Sequence, residues 1–111
     1  MTIMTGPVPH VTELAAGELS RLVTAAAHRP CAQPGVSPDD YFPEVPASPR
    51  GREQYEFTAR ALCRFCPVEL LCLELAIRQE GPQRGHGIAG GTAPWQRQAI
   101  KASRGMAVRR G

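Results

Sequence analysis

The stretch Leu62-Cys63-Arg64-Phe65-Cys66-Pro67-Val68-Glu69-Leu70-Leu71-Cys72-Leu73 carries three of the chain's four cysteines in a C-x2-C-x5-C spacing. Two helices meet across it. Upstream, Glu53 to Leu62 reads as a helix with Phe57, Ala61, Tyr55 and Leu62 turned inward, ending near Cys63. Downstream, Pro67 suits the first position of a helix and Glu69 complements its N-terminal dipole. That helix runs through Glu80 and stops at Gly81-Pro82. Val68, Leu71, Cys72 and Leu75 fall on one stripe of it, so Cys72 shares the buried face. A CxxC at one helix end and a cysteine on the inner face of the next bring three thiols together.

The fourth, Cys31, is separated from Cys63 by 31 residues and must fold back across a long loop with Pro at 30, 34, 38, 43, 46 and 49. Loops this long in small domains are usually functional or mobile. Within it, Ser37-Pro38-Asp39-Asp40 starts one helical turn, with Ser37 as cap and Pro38 at the first helical position. Tyr41 and Phe42 follow and point different ways, one toward the core and one out. Before the loop, Thr12 to His28 reads as a helix with Thr12 as N-cap and a narrow apolar face of Leu19, Leu22, Val23 and Ala26. It is marginal if free in water, so a docked lid is expected.

Beyond the third helix, Gly85-His86-Gly87-Ile88-Ala89-Gly90-Gly91 is a tight, specifically shaped turn. Thr92 then caps a fourth helix, Ala93 to about Ser103, which sets Arg97, Lys101 and Arg104 on one face. Charge is unevenly spread. Residues 1–80 carry ten acids against seven Arg, and residues 81–111 carry six bases and no acid. The split suggests an acidic body with a basic arm for a polyanion, against the plainer reading of a solvated tail.

With 111 residues, 11 Pro and 11 Gly, the chain has room for one small domain with a modest core, which favours extra fastening. Met1 to His10 has neither the basic start nor the apolar run of a signal peptide, and no stretch reaches the length of a membrane span. The expectation is a cytoplasmic protein, where thiols stay reduced and a cysteine pattern more often means metal than disulfides. Four cysteinyl sulfurs suit zinc or an iron–sulfur cluster. Structural zinc sites usually pair two CxxC knuckles, and here there is one. His28 and His86 read as surface or hydrogen-bonding residues rather than spare ligands.

Cys31-Ala32-Gln33-Pro34, Asp39-Asp40-Tyr41-Phe42-Pro43, the C-x2-C-P-V-x3-C core and Gly87-Ile88-Ala89-Gly90-Gly91-Thr92 together resemble the WhiB-like family of bacterial transcription regulators, over about residues 29–102. The resemblance implies a [4Fe–4S] cluster held by Cys31, Cys63, Cys66 and Cys72. It implies an all-α fold, a small bundle of about four helices wrapped around the cluster. It also implies binding to the C-terminal domain of the principal sigma factor, with DNA reached through the basic C-terminal segment. The partner surface would comprise Tyr41, Phe42, Ile88, Ala89 and Trp95. The family turn is usually G-[IV]-W-G-G, and Ala89 stands here in place of its Trp; Trp95 is either a substitute aromatic or core packing against helix three.

The organisation expected is an N-terminal helix or arm (1–28), a cluster-binding domain with its glycine turn (29–92) and a basic helix and tail (93–111). The functional expectation is a monomeric, non-enzymatic regulator that responds to oxygen or nitric oxide. It would lay Arg97, Lys101, Arg104, Arg109 and Arg110 on DNA, with affinity but little sequence choice. Cys63 with Cys66 is the nearest disulfide pair once a cluster is lost. The alternatives are a thiol–disulfide reductase using Cys63 and Cys66, activated by Arg64 and the following helix, and a zinc-stapled interaction module.

Overall fold

A computed structural model describes residues 10–26 and 28–106. They form four α-helices and no strand: α1 (Ala16–Ala25), α2 (Pro49–Cys63), α3 (Glu69–Glu80) and α4 (Pro94–Ser103). Short 3₁₀ turns stand at Val11–Glu13, Pro30–Ala32 and Pro38–Tyr41. The fold is all-α.

The first helix is shorter than its sequence pattern predicts. His10, not Thr12, acts as the cap: its Nδ1 accepts the Thr12 N–H at 3.2 Å and closes the Val11–Glu13 turn. The chain then runs extended through Leu14 and Ala15, and α1 starts afresh at Ala16. α1 lies on α3 as a docked lid. Leu19 and Ile77 are fully buried and Val23 nearly so, a gain of about 1.5–3 kcal/mol for each fully buried side chain. Arg78 of α3 fastens the chain ahead of the lid. Its guanidinium donates to the carbonyls of Thr12 (2.8 Å), Val11 (3.3 Å) and Leu14.

α2 begins earlier than its apolar periodicity indicates. Ser48 caps it by accepting the Gly51 N–H at 3.0 Å, and Pro49 takes the first helical position, where its missing N–H costs nothing. Its inward residues are Tyr55, Ala59 and Cys63, with Leu62 half-buried. Phe57 and Ala61 face outward instead, on the side of the helix away from the Tyr55, Ala59 and Cys63 stripe; Phe57 is 66% exposed. α3 starts at Glu69 rather than Pro67 and ends at Gly81, whose φ of +58° breaks the helix. The residues of the expected stripe, Val68, Leu71, Cys72 and Leu75, are half-buried, while Glu74 and Ile77 are the fully enclosed ones.

Around α2 a core gathers Tyr41, Tyr55, Ala59, Cys63, Ile88 and Ala93, with Val36, Leu62 and Trp95 packed against it. The Pro38–Tyr41 turn forms as its sequence predicts, with Ser37 accepting the Asp39 N–H. It delivers Tyr41 to the core and leaves Phe42 61% exposed. α4 is capped by Ala93 rather than Thr92, and the Gln96 side chain accepts the Ala93 N–H at 2.8 Å. Trp95 packs on α2, where the expected core contact is helix three. Its ring centroid lies 4.9 Å from that of Tyr55, Arg52 sits over its face, and its Nε1 donates to Glu56.

Candidate metal centre

The four cysteines reach one place from four different pieces of backbone. Cys31 rides on the Pro30–Ala32 turn and is exposed. Cys63 is the last residue of α2 and is buried. Cys66 follows in a tight turn whose N–H donates to the Cys63 carbonyl at 3.1 Å. Cys72 sits in the first turn of α3, its N–H bonded to the Val68 carbonyl at 2.8 Å. All four line one cavity of about 240 Å³ whose remaining wall is mainly apolar, including Val23 of the lid, Tyr41, Leu62, Val68 and Ile88. His28 and His86 are exposed and do not line it.

The thiols feel one another. Burial pushes Cys63 up to about 11, the Gly91 N–H pulls it back, and the negative charges of Cys72, Glu69 and Cys66 push it up again. Burial likewise raises Cys72, opposed by the Gly90 N–H and reinforced by Cys31 and Cys66. Tyr41 is raised by burial and then by Cys63, Cys31 and Cys66. Four thiolates crowded this way repel each other, and a cationic group among them would offset both the repulsion and the desolvation.

Four cysteinyl sulfurs bordering one cavity are a donor set that suits an iron–sulfur cluster or a zinc ion. The raised Cys63 runs against a reductase, whose attacking thiol needs a lowered pKa. Arg64, expected to activate it, is exposed and stacks over Phe65.

The glycine turn closes one side of the cavity. Gly90 (φ +55°) lies so close to α3 that a Cβ there would stand 2.5 Å from the Leu73 Cβ. Ala89 and Thr92 pair across the turn, their N–H groups donating reciprocally at 3.2 and 3.0 Å. Of the expected partner surface, Phe42 is open to solvent, Ala89 and Trp95 are half-buried, and Tyr41 and Ile88 are buried.

The basic face of α4 is not a face. Arg97 and Lys101, expected along phosphates, are both fully buried, because Glu80 of α3 binds them at 2.8 Å each. Arg97 also donates to the carbonyls of Thr92 (2.9 Å), Gly87 (2.8 Å) and His86 (3.3 Å), and Lys101 to that of Gln83 (2.9 Å). Arg104 is partly exposed and pairs with Glu74, which also binds Arg78. Arg109 and Arg110 lie outside the described residues. Much of the acidic-body, basic-arm split is therefore a set of ion pairs between α3 and α4. Glu74 and Glu80 sit on the helix that α4 packs against, a tertiary contact that the sequence alone does not show.

The family model described as transcription factor WhiB matches residues 25–100, well over half of the chain. Neither a curated protein nor a solved structure matches it. Among the described residues no helix is long and apolar enough to cross a membrane.

Proposed function

The chain belongs to the WhiB family of transcription factors, and from that premise we propose that it is a cytoplasmic regulator holding a [4Fe–4S] cluster on Cys31, Cys63, Cys66 and Cys72. The observation that supports the proposal is the shared cavity: four thiols from four backbone segments border one space of about 240 Å³ with a mainly apolar wall. When bound, the cluster supplies redox and nitric-oxide chemistry and staples a small core. The protein's own part is to hold the thiols, wall them with apolar side chains and direct two backbone N–H groups at them.

The unit that binds the group runs over residues 29–92, with the N-terminal lid and the basic C-terminal segment on either side. Its partner is the C-terminal domain of the principal sigma factor, and the exposed ring of Phe42 supports that contact. Ala89 removes the large aromatic of the family turn. Trp95 is engaged with Tyr55, Arg52 and Glu56, so it does not take that place. DNA contact falls to Arg104, Arg109 and Arg110, and the regulator acts as a monomer.

Anaerobic purification tests the reading. A brown protein with about four irons and four sulfides per chain is expected, and Cys72→Ser should lose the colour. A colourless chain holding one zinc would overturn it.

A further inference from the structure

Arg97 is fully buried, and every nitrogen of its guanidinium is engaged. Nε binds Glu80, one terminal nitrogen binds the carbonyl and hydroxyl of Thr92, and the other binds the carbonyls of His86 and Gly87. These oxygens stand at both ends of the glycine turn, 86 and 87 near its start and 92 just past its end. The guanidinium is thus a clasp across the open ends of the turn, anchored to α3 through Glu80. Between those ends lie Gly90, which lines the cysteine cavity and packs against Leu73 beside Cys72, and Gly91; their amides pull the Cys72 and Cys63 thiols down against the effect of burial. One turn therefore serves two sulfurs on two helices, and a planar fork in α4 sets its shape. A lysine has a single point of charge and cannot span the same acceptors.

We infer that Arg97 is a positioning residue for the metal centre: it fixes the glycine turn so that the Gly90 and Gly91 amides donate to the Cys72 and Cys63 sulfurs. The inference rests on the cluster reading proposed above. Amide donors at ligand sulfurs stabilise the more negative, reduced state and hold the ligands in place, so they raise the reduction potential and slow cluster loss.

The test uses the full chain purified anaerobically with its cluster, as wild type, Arg97→Lys, Arg97→Gln and Glu80→Gln. Two quantities are read: the rate at which visible absorption disappears in an iron chelator, and the reduction potential. Far-UV circular dichroism checks the fold. Both Arg97 variants should lose the cluster about tenfold faster than wild type, at a more negative potential. Glu80→Gln should shift both in the same direction by less. Wild-type lifetime and potential in both Arg97 variants would overturn the inference. So would a shift in Arg97→Gln alone, because the charge and not the clasp would then be responsible. If the Arg97 variants do not fold, Glu80→Gln decides, and no change in it overturns the inference. A wild type that carries no cluster sinks the underlying reading first, and that result is read on the wild type alone.

Discussion

The backbone N–H of Ile88 donates to the carbonyl of Tyr41 at 2.7 Å and ties the glycine turn to the 3₁₀ turn that follows the Cys31 loop. Gly87, one residue earlier, has φ +69°, and a Cβ there would lie 2.6 Å from that same carbonyl and 2.5 Å from the Phe42 ring. Gly87→Ala should therefore destabilise the protein by about 2 kcal/mol or more, combining left-handed backbone strain with overpacking. Denaturant unfolding measures this; a change under about 0.5 kcal/mol would mean the turn relaxes freely.

Glu80 faces two fully buried cations, whereas the Glu18–Arg21 pair is exposed at 3.7 Å. Glu80→Ala leaves Arg97 and Lys101 buried without their carboxylate and should cost about 3–5 kcal/mol. Glu18→Ala should change stability by less than about 1 kcal/mol. Equal effects in the same unfolding series would contradict the buried network.

Cys63 has its thiol pushed up to about 11 from 9.0. The fold thus favours the protonated form. Its contribution to stability in the cluster-free chain is full below pH 9 and is lost as pH rises through about 11. Alkylation at pH 8, followed by mass spectrometry, should label exposed Cys31 first and Cys63 last, with Cys63 labelling accelerating toward pH 11. Labelling of Cys63 as fast as Cys31 would refute this order.

If only Arg104, Arg109 and Arg110 meet phosphates, the logarithm of DNA affinity should fall with the logarithm of salt at a slope of about −3. Removing residues 107–111 should reduce that slope by about 2. A slope near −5 would mean that Arg97 and Lys101 reach DNA after all.

Phe42 is solvent-exposed and half free of its own core. Phe42→Ala should leave stability within about 0.5 kcal/mol, yet weaken capture of the sigma-factor C-terminal domain about tenfold or more. Undiminished capture would show that this contact is not used.

The cysteine spacing, the Ser37 cap, the stop at Gly81 and the glycine turn were legible because each is a local rule of backbone geometry or ligand spacing. The start of α2 was hidden although Ser48-Pro49 is a cap and first position, because it sits at the end of a Pro-rich loop whose irregularity dominates the reading. The burial of Arg97 and Lys101 was illegible for another reason. Cations repeating along one helical face look solvated, and only a carboxylate 17 and 21 residues earlier turns that face inward. His10 taking the cap from Thr12 is a similar local competition that periodicity does not register.

Arg78 holds the segment ahead of α1 entirely by main-chain oxygens, those of Val11, Thr12 and Leu14. Every residue type offers the same oxygen, so this grip reads no side chain at those positions. The consequence is evolutionary latitude: the leading segment can drift in sequence and stay fastened, provided that Arg78 and its partner Glu74 do not.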